Sequence, residues 1–176
     1  MEQIVTLDFE TFYSSEFSLT KCTTEEYIKD RRFQVIGVAV KINDGEIHWH
    51  TGTHAEIQVA LDKIDWKQSG LICHNTMFDG AILGWIFNIY PAHYFDTLCI
   101  ARALHGTNVG GSLKYLAEKY NLGRKGTEVL DAKGKRLEDF TPTELSAYAS
   151  YCVNDVQITF DLFRIIALGF PESEHQ

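Results

Sequence analysis

The chain lacks a basic, apolar leader at its N-terminus, and its longest apolar runs, such as GAILGWIF, are far too short to cross a bilayer. Both absences argue against export and membrane insertion and lead us to expect a soluble, cytoplasmic protein. Paired cysteines are lacking as well. Cys22, Cys73, Cys99 and Cys152 stand far apart with no C-x-x-C spacing, which excludes a zinc ribbon or small disulfide framework and predicts reduced, mostly buried thiols. Positive charge is scarce, the formal net charge being −8. Phosphate binding depends on cations, so the overall field does not draw nucleic acid to the chain, and any such contact must be local. Internal repeats and low-complexity linkers are absent. What is present is 176 residues, 45% of them hydrophobic, enough for one compact domain over 1–176 and too few for two.

Strand signals dominate the first third of that domain. QIVTLDF (3–9), QVIGVAVKI (34–42) and EIHWHTG (46–52) are rich in β-branched and aromatic residues, with Asn43-Asp44-Gly45 as the turn between the last two. A polar insertion separates the first two strands and is expected to hold a short helix near 24–29, capped by Thr23 or Thr24. Thereafter helix and strand alternate: HAEIQVALDKI, GLICHN, TMFDGAILGWIFN, HYFDT and TLCIARALHG, the last closed by Gly106. Beyond Gly110-Gly111 come a helix over SLKYLAEKYNL, a basic loop and a long helix over 143–168. In that long helix Thr141, Pro142 and Glu144 have the spacing of an N-cap, a first helical residue and a capping box. A basic stretch spans 114–136, with seven cationic residues against three acidic ones. On its own it reads equally well as a solvated helix and a lysine-rich hairpin.

Carboxylates stand where the pattern asks for apolar residues. Alternation in VTLDFETFY puts Val5, Leu7 and Phe9 on one strand face and Thr6, Asp8 and Glu10 on the other. In the long helix Tyr148, Cys152, Asp155, Thr159 and Leu162 advance by three and four and so share a face, with Tyr151 one turn before Asp155. A buried lone carboxylate is costly unless protonated, paired or bound to a cation. Asp79, at the start of the helix after a buried strand, lies where α/β sheets commonly form sites. Were all four acids to converge, like charges ~4 Å apart would repel by roughly 4 kcal/mol per pair at an effective dielectric near 20, which calls for divalent cations or raised pKa values. Oxygen-only ligands favour Mg²⁺ or Mn²⁺ over zinc. Taken singly, each acid also has an ordinary reading: a strand end, a helix cap, a helix pair.

Three ordered motifs change that balance. LDFET resembles the D-x-E motif, HNTMFD the N-x-x-[FY]-D motif and YCVND the Y-x-x-x-D motif of DEDDy 3′-5′ exonucleases, and FDTLCIARAL and GSLKYLAEKY are similar to stretches of the same family. The resemblance covers roughly residues 4–165. Tyr151 marks the tyrosine branch, since the histidine branch would carry histidine at position 150, where this chain has Ser150. The likeness is strongest to the proofreading exonuclease domains of family A DNA polymerases, particularly phage ones, for which the cytoplasm would be that of a bacterial host.

The resemblance implies an α/β, RNase H-like fold, with a mixed central sheet whose first three strands are antiparallel, flanked by helices. It implies two divalent cations, Mg²⁺ or Mn²⁺. Asp8 would bridge them, Glu10 and Asp155 would hold the one that activates water, Asp79 would hold the other through water, and Tyr151 would orient the attacking water. Thr11, Phe12, Asn75 and Phe78 flank these ligands and are candidates for contact with the terminal nucleotide, by backbone bonds or base stacking. Lys114 and the basic stretch are candidates for tracking the strand. His74 is expected to be a satisfied core residue, and His48, His50 and His54 to lie on a polar strand face. The expected partner is the 3′ end of single-stranded DNA, with a DNA polymerase domain in the same or another chain, because the sequence stops at FPESEHQ where such polymerases continue; a monomer with no membrane contact is expected. An RNA-trimming exonuclease and a catalytically silent single-strand-binding module remain as alternatives.

Overall fold

The computed structural model describes residues 3–106, 109–123 and 132–169. Five strands form one mixed sheet: β1 (Gln3–Thr11), β2 (Val35–Ile42), β3 (Ile47–Thr51), β4 (Ser69–Cys73) and β5 (His93–Asp96), in the order β3-β2-β1-β4-β5. β1 pairs antiparallel with β2, and β2 with β3, while β4 runs parallel to β1 and to β5. This is the expected α/β, RNase H-like arrangement, with the first three strands antiparallel.

β1 is two residues longer than its apolar pattern indicates. Thr11 is buried and pairs with Val35 after a register shift at Glu10, so the ladder carries the D-x-E segment to its very end. β4 stops sooner: it accompanies β1 only from Gln3 to Thr6. The second half of β1, from Leu7 on, therefore has no strand on its β4 side, and the polar groups exposed there become available to side chains.

Among the described residues, six helices cover the two faces: α1 (Thr24–Lys29), α2 (His54–Leu61), α3 (Thr76–Phe87), α4 (Thr97–His105), α5 (Leu113–Tyr120) and α6 (Pro142–Ile166). Val5, Leu7 and Phe9 point into the larger core, among Tyr27 and Ile28 of α1, Ile57 and Leu61 of α2, and Ile82, Leu83 and Phe87 of α3. α6 lies on the other face, with Cys152 and Val156 against Ala39. Its far end joins α4 and α5 through Ile158, Leu162 and Ile166. With both faces covered, Asp8 and Glu10 are held beneath a helix rather than on open sheet.

Helix starts follow the sequence chemistry. Thr23, Thr53 and Thr141 each cap a helix with a glutamate three residues on, completing capping boxes, and Pro142 opens α6. Short 3-10 turns at Trp66–Gln68, Leu137–Asp139 and Ala167–Gly169 carry no periodicity visible in the sequence. The thiols depart from expectation: all four are free, but only Cys73 and Cys152 are buried, while Cys22 is half-buried and Cys99 exposed. Within the basic stretch, Arg124, Lys125, Glu128 and Asp131 lie outside the described residues, as does the FPESEHQ end. Among the described residues, no helix is long and apolar enough to cross a membrane.

Candidate active site

Asp79 enters the site through the gap left by β4. The Phe9 amide, on the unpaired side of β1, donates to Asp79 Oδ1 at 3.0 Å. The first turn of α3 thus completes the ladder that β4 abandons. Asp79 is 2% exposed. Burial, then the neighbouring Asp8 charge, push its carboxyl well above the usual range; the Phe9 amide opposes this and Glu10 adds to it. One buried acid is thereby placed electrically beside both acids of β1.

α6 approaches the same acids from above. Carboxylate oxygens of Asp8 and Glu10 and the Cys152 sulfur lie within 4.8 Å of one another. The Cys152 thiol is directed at Asp8, 3.3 Å from its carbonyl and 3.5 Å from its Oδ2. Burial, then Asp8 and Glu10, hold that thiol well above its ordinary pKa, so it remains a donor. Tyr148, one turn earlier, is raised by burial and by the Glu10 carboxylate to which its hydroxyl is bonded. Asp155 follows Cys152 by three residues on this stripe and is 4% exposed. Tyr151 is half-buried on the same helix.

Asp96 fixes where α3 begins, a role its place in HYFDT did not reveal. One carboxylate accepts from Asn75 and Thr76 at 3.1 and 3.0 Å, and from Leu98 and Cys99 at 2.9 and 3.3 Å, tying the starts of α3 and α4 together. Asn75 meets this demand with a left-handed backbone, φ 74°, which asparagine tolerates better than most residues. Asp96→Ala would strip the acceptor from two helix starts. We expect it to cost about 2 kcal/mol or more in urea unfolding, and to lower activity through misplacement of Asp79.

The remaining sequence candidates divide. Glu10, Thr11 and Phe78 line a cleft of about 310 Å³ together with Tyr13, Tyr27 and Leu19, so the insertion between β1 and β2 supplies part of the wall. The Thr11 hydroxyl is bonded to Tyr27 at 2.9 Å. The Phe12 ring stacks on Phe17 and lies 4.3 Å beneath the Arg136 guanidinium, which commits it to internal packing. Lys114 is exposed on α5, a helix whose buried face joins α4 and α6. His74 is satisfied on both ring nitrogens, by Thr97 Oγ1 and the Gly111 carbonyl, each at 2.9 Å. Sequence reasoning gave Tyr148 and Cys152 no role, although their spacing of four on the stripe of Asp155 was the signal that pointed to them.

This geometry can be set beside known proteins. The family model for 3′-5′ exonucleases matches residues 22–169. The chain belongs to the 3′-5′ exonuclease family. The matched span begins after β1, so Asp8 and Glu10 join the site through the contacts just described. The chain is 39% identical over 105 residues to DNA polymerase I of Borreliella burgdorferi, covering 59% of this chain and 11% of that one. It therefore spans about a tenth of that relative's length. Among solved structures, NrnC of Brucella melitensis with bound Mg²⁺ superposes with a TM-score of 0.64 at 17% identity, over 94% of this chain and 72% of that one. RNase D of Trypanosoma brucei in complex with GMP gives 0.67 at 12% identity, over 96% and 52%. At these identities the two structures establish a shared fold.

The donor set suits a divalent cation. Carboxylates crowded as Asp8, Glu10 and Asp79 are repel one another, and Asp8 and Glu10 add to the rise that burial imposes on the Asp79 carboxyl. The NrnC structure of this fold holds bound Mg²⁺, and hard oxygen donors match such a cation.

Proposed function

We propose that the chain is a metal-dependent 3′-5′ exonuclease that removes nucleoside 5′-monophosphates from single-stranded DNA, proofreading for a DNA polymerase in the same or another chain. The observation that carries this reading is the convergence of Asp8, Glu10 and Asp79 beneath α6, with Asp155 buried on the same helix. Asp8 would bridge two cations, with Glu10 and Asp155 on one and Asp79 on the other. Two such cations bound together clamp the attacking and leaving oxygens of an in-line displacement and lower the pKa of a water. No protein nucleophile is then needed. Tyr151 would orient the water through its hydroxyl.

The terminal nucleotide would enter the cleft beside Glu10, where Phe78 and Leu19 offer apolar surface for a base; base stacking typically contributes about 1–3 kcal/mol. Arg136, whose guanidinium donates to the Arg32 carbonyl at 3.3 Å, and Lys133, its neighbour in sequence, give a local cationic margin on a chain of net charge −8, Arg32 itself being paired with Asp30 at 2.8 Å. Gly134 donates to the Tyr13 carbonyl at 2.7 Å, which anchors this margin to the segment following the D-x-E residues. Lys114 is assigned to the same track. DNA is favoured over RNA by the likeness to DNA polymerase I, and the bacterial cytoplasm is the compartment that goes with it.

The test uses a 5′-labelled DNA oligonucleotide and its RNA equivalent, each with Mg²⁺, Mn²⁺ or EDTA. A ladder shortening from the 3′ end on DNA, abolished by EDTA, is expected. Faster shortening of RNA would transfer the reading to an exoribonuclease, and no shortening of either strand would overturn it.

A further inference from the structure

We propose that Tyr148 is a positioning residue, whose hydroxyl holds Glu10 in the orientation that receives a divalent cation. The inference rests on the exonuclease reading above and concerns one interaction that the family motifs do not contain. The Tyr148 hydroxyl is hydrogen-bonded to the Glu10 carboxylate. Its ring is 4% exposed and immobilised on two sides, parallel to Phe140 at 5.4 Å and 13°, and tilted against Trp49 at 6.5 Å. Trp49 is itself fixed by Gly37, the strand partner of Glu10: a Cβ there would stand 2.2 Å from the indole Cζ2, so only glycine lets the ring cross. The aromatic support thus leads straight from the sheet position opposite Glu10 to the hydroxyl that grips it.

Spacing explains why α6 can do this. Residues two apart on a strand rise about 6.6–6.8 Å, and residues four apart on a helix about 6 Å, so two positions on each element come into register. α6 runs against β1, and Cys152 meets Asp8 while Tyr148 meets Glu10. Each carboxylate receives one donor from the helix. A glutamate has one more rotatable bond than an aspartate, and its oxygens sweep a larger volume unless one of them is held. A phenol bound to one oxygen leaves the other for a cation, and outer partners of this kind typically govern metal affinity by 10–100-fold.

Tyr148→Phe retains ring, stacking and volume and removes only the hydroxyl. Three quantities would be measured: the Mn²⁺ dissociation constant by electron paramagnetic resonance of the free ion, kcat and KM on the labelled DNA oligonucleotide, and the metal-free Tm. The dissociation constant is expected to rise about 10–100-fold. At low metal kcat should fall in step and recover at high metal, while KM for DNA stays within about twofold and the metal-free Tm is unchanged. In a Glu10→Gln background the further Tyr148→Phe change should leave the dissociation constant where Glu10→Gln put it. Unchanged Mn²⁺ affinity in Tyr148→Phe overturns the proposal, and so does a lowered Tm as the only effect, which would make Tyr148 a packing residue. Failure of the unmodified protein to bind Mn²⁺ or to shorten DNA would overturn the exonuclease reading itself and this inference with it.

Discussion

Asp8→Ala is expected to lower the rate of 3′-end shortening by at least about a thousandfold, while the protein stays folded. Asp8 is the acid that the others share. Its charge raises Asp79 from one side, and its carboxylate receives the Cys152 thiol from the other. On the proposed reading, removing it takes away the one carboxylate shared between the cation of Glu10 and Asp155 and the cation of Asp79. Stability should respond in the opposite sense to activity. The neighbouring acids repel in the metal-free protein, so deleting one relieves strain, and the Cys152 thiol that loses its acceptor is a weak donor. We therefore expect a metal-free Tm no lower than that of the unmodified protein, together with a much smaller Tm rise on adding millimolar Mg²⁺ or Mn²⁺. Asp155→Ala should reproduce the loss of rate. Melting curves with and without metal, run beside the labelled-strand assay, check both halves, and retention of activity within about tenfold of normal in Asp8→Ala would remove the carboxylate cluster from the mechanism.

The second large effect is a pH dependence of stability located at Asp79. In the unfolded chain this carboxyl ionises in the ordinary range, about 3.9. In the folded protein burial and Asp8 hold it well above that. Between the two values the folded state keeps a proton that the unfolded state has released, so stability falls as pH rises through the interval. Below the interval both states are protonated and Asp79 contributes nothing; above it the loss is complete. Asp79→Asn retains an oxygen to accept the Phe9 amide but carries no charge. Without metal, Asp79→Asn should melt above the unmodified protein at neutral pH, and the difference should close as pH falls toward 4. Millimolar Mg²⁺ should invert the order at neutral pH, because the cation stabilises the ionised cluster that only the unmodified chain possesses. Melting series at several pH values, in EDTA and in Mg²⁺, provide the check. An asparagine variant that melts lower at every pH in EDTA would show that hydrogen bonding at Phe9, not charge, governs this position.

Much of the framework was legible in the residues because it depends on local rules. Period-two alternation separated Val5, Leu7 and Phe9 from Asp8 and Glu10, and the structure places those two sets on opposite faces of β1. Capping chemistry located the start of α6 to the residue and that of α1 to Thr23 or Thr24, since a threonine and a glutamate three apart satisfy the same orphan amides wherever they occur; the equivalent cap of α2, Thr53 with Glu56, went unread. The stripe from Tyr148 to Leu162 is buried along its length, as the helical period requires. Helix and strand ends were less legible, because they depend on what lies alongside: β1 runs on to Thr11 since β2 is there to pair with it, and β4 stops at Cys73.

The sequence by itself therefore determined which acids exist, which faces they occupy and which helix must carry Asp155. Only the tertiary structure decided what each acid touches. That β4 stops short, leaving the Phe9 amide for Asp79, follows from the relative lengths of two strands whose partners, such as Gln3 and Ser69, lie far apart in the chain. That one aspartate, Asp96, ties together two helix starts follows from the placement of β5 beside β4. That Tyr148 reaches Glu10 follows from where α6 crosses β1, with the Tyr148 ring against Trp49 and Trp49 over Gly37. Alternation and capping act over three or four residues and can be read along the chain; contacts across the sheet depend on packing, and packing exists only once the chain has closed on itself.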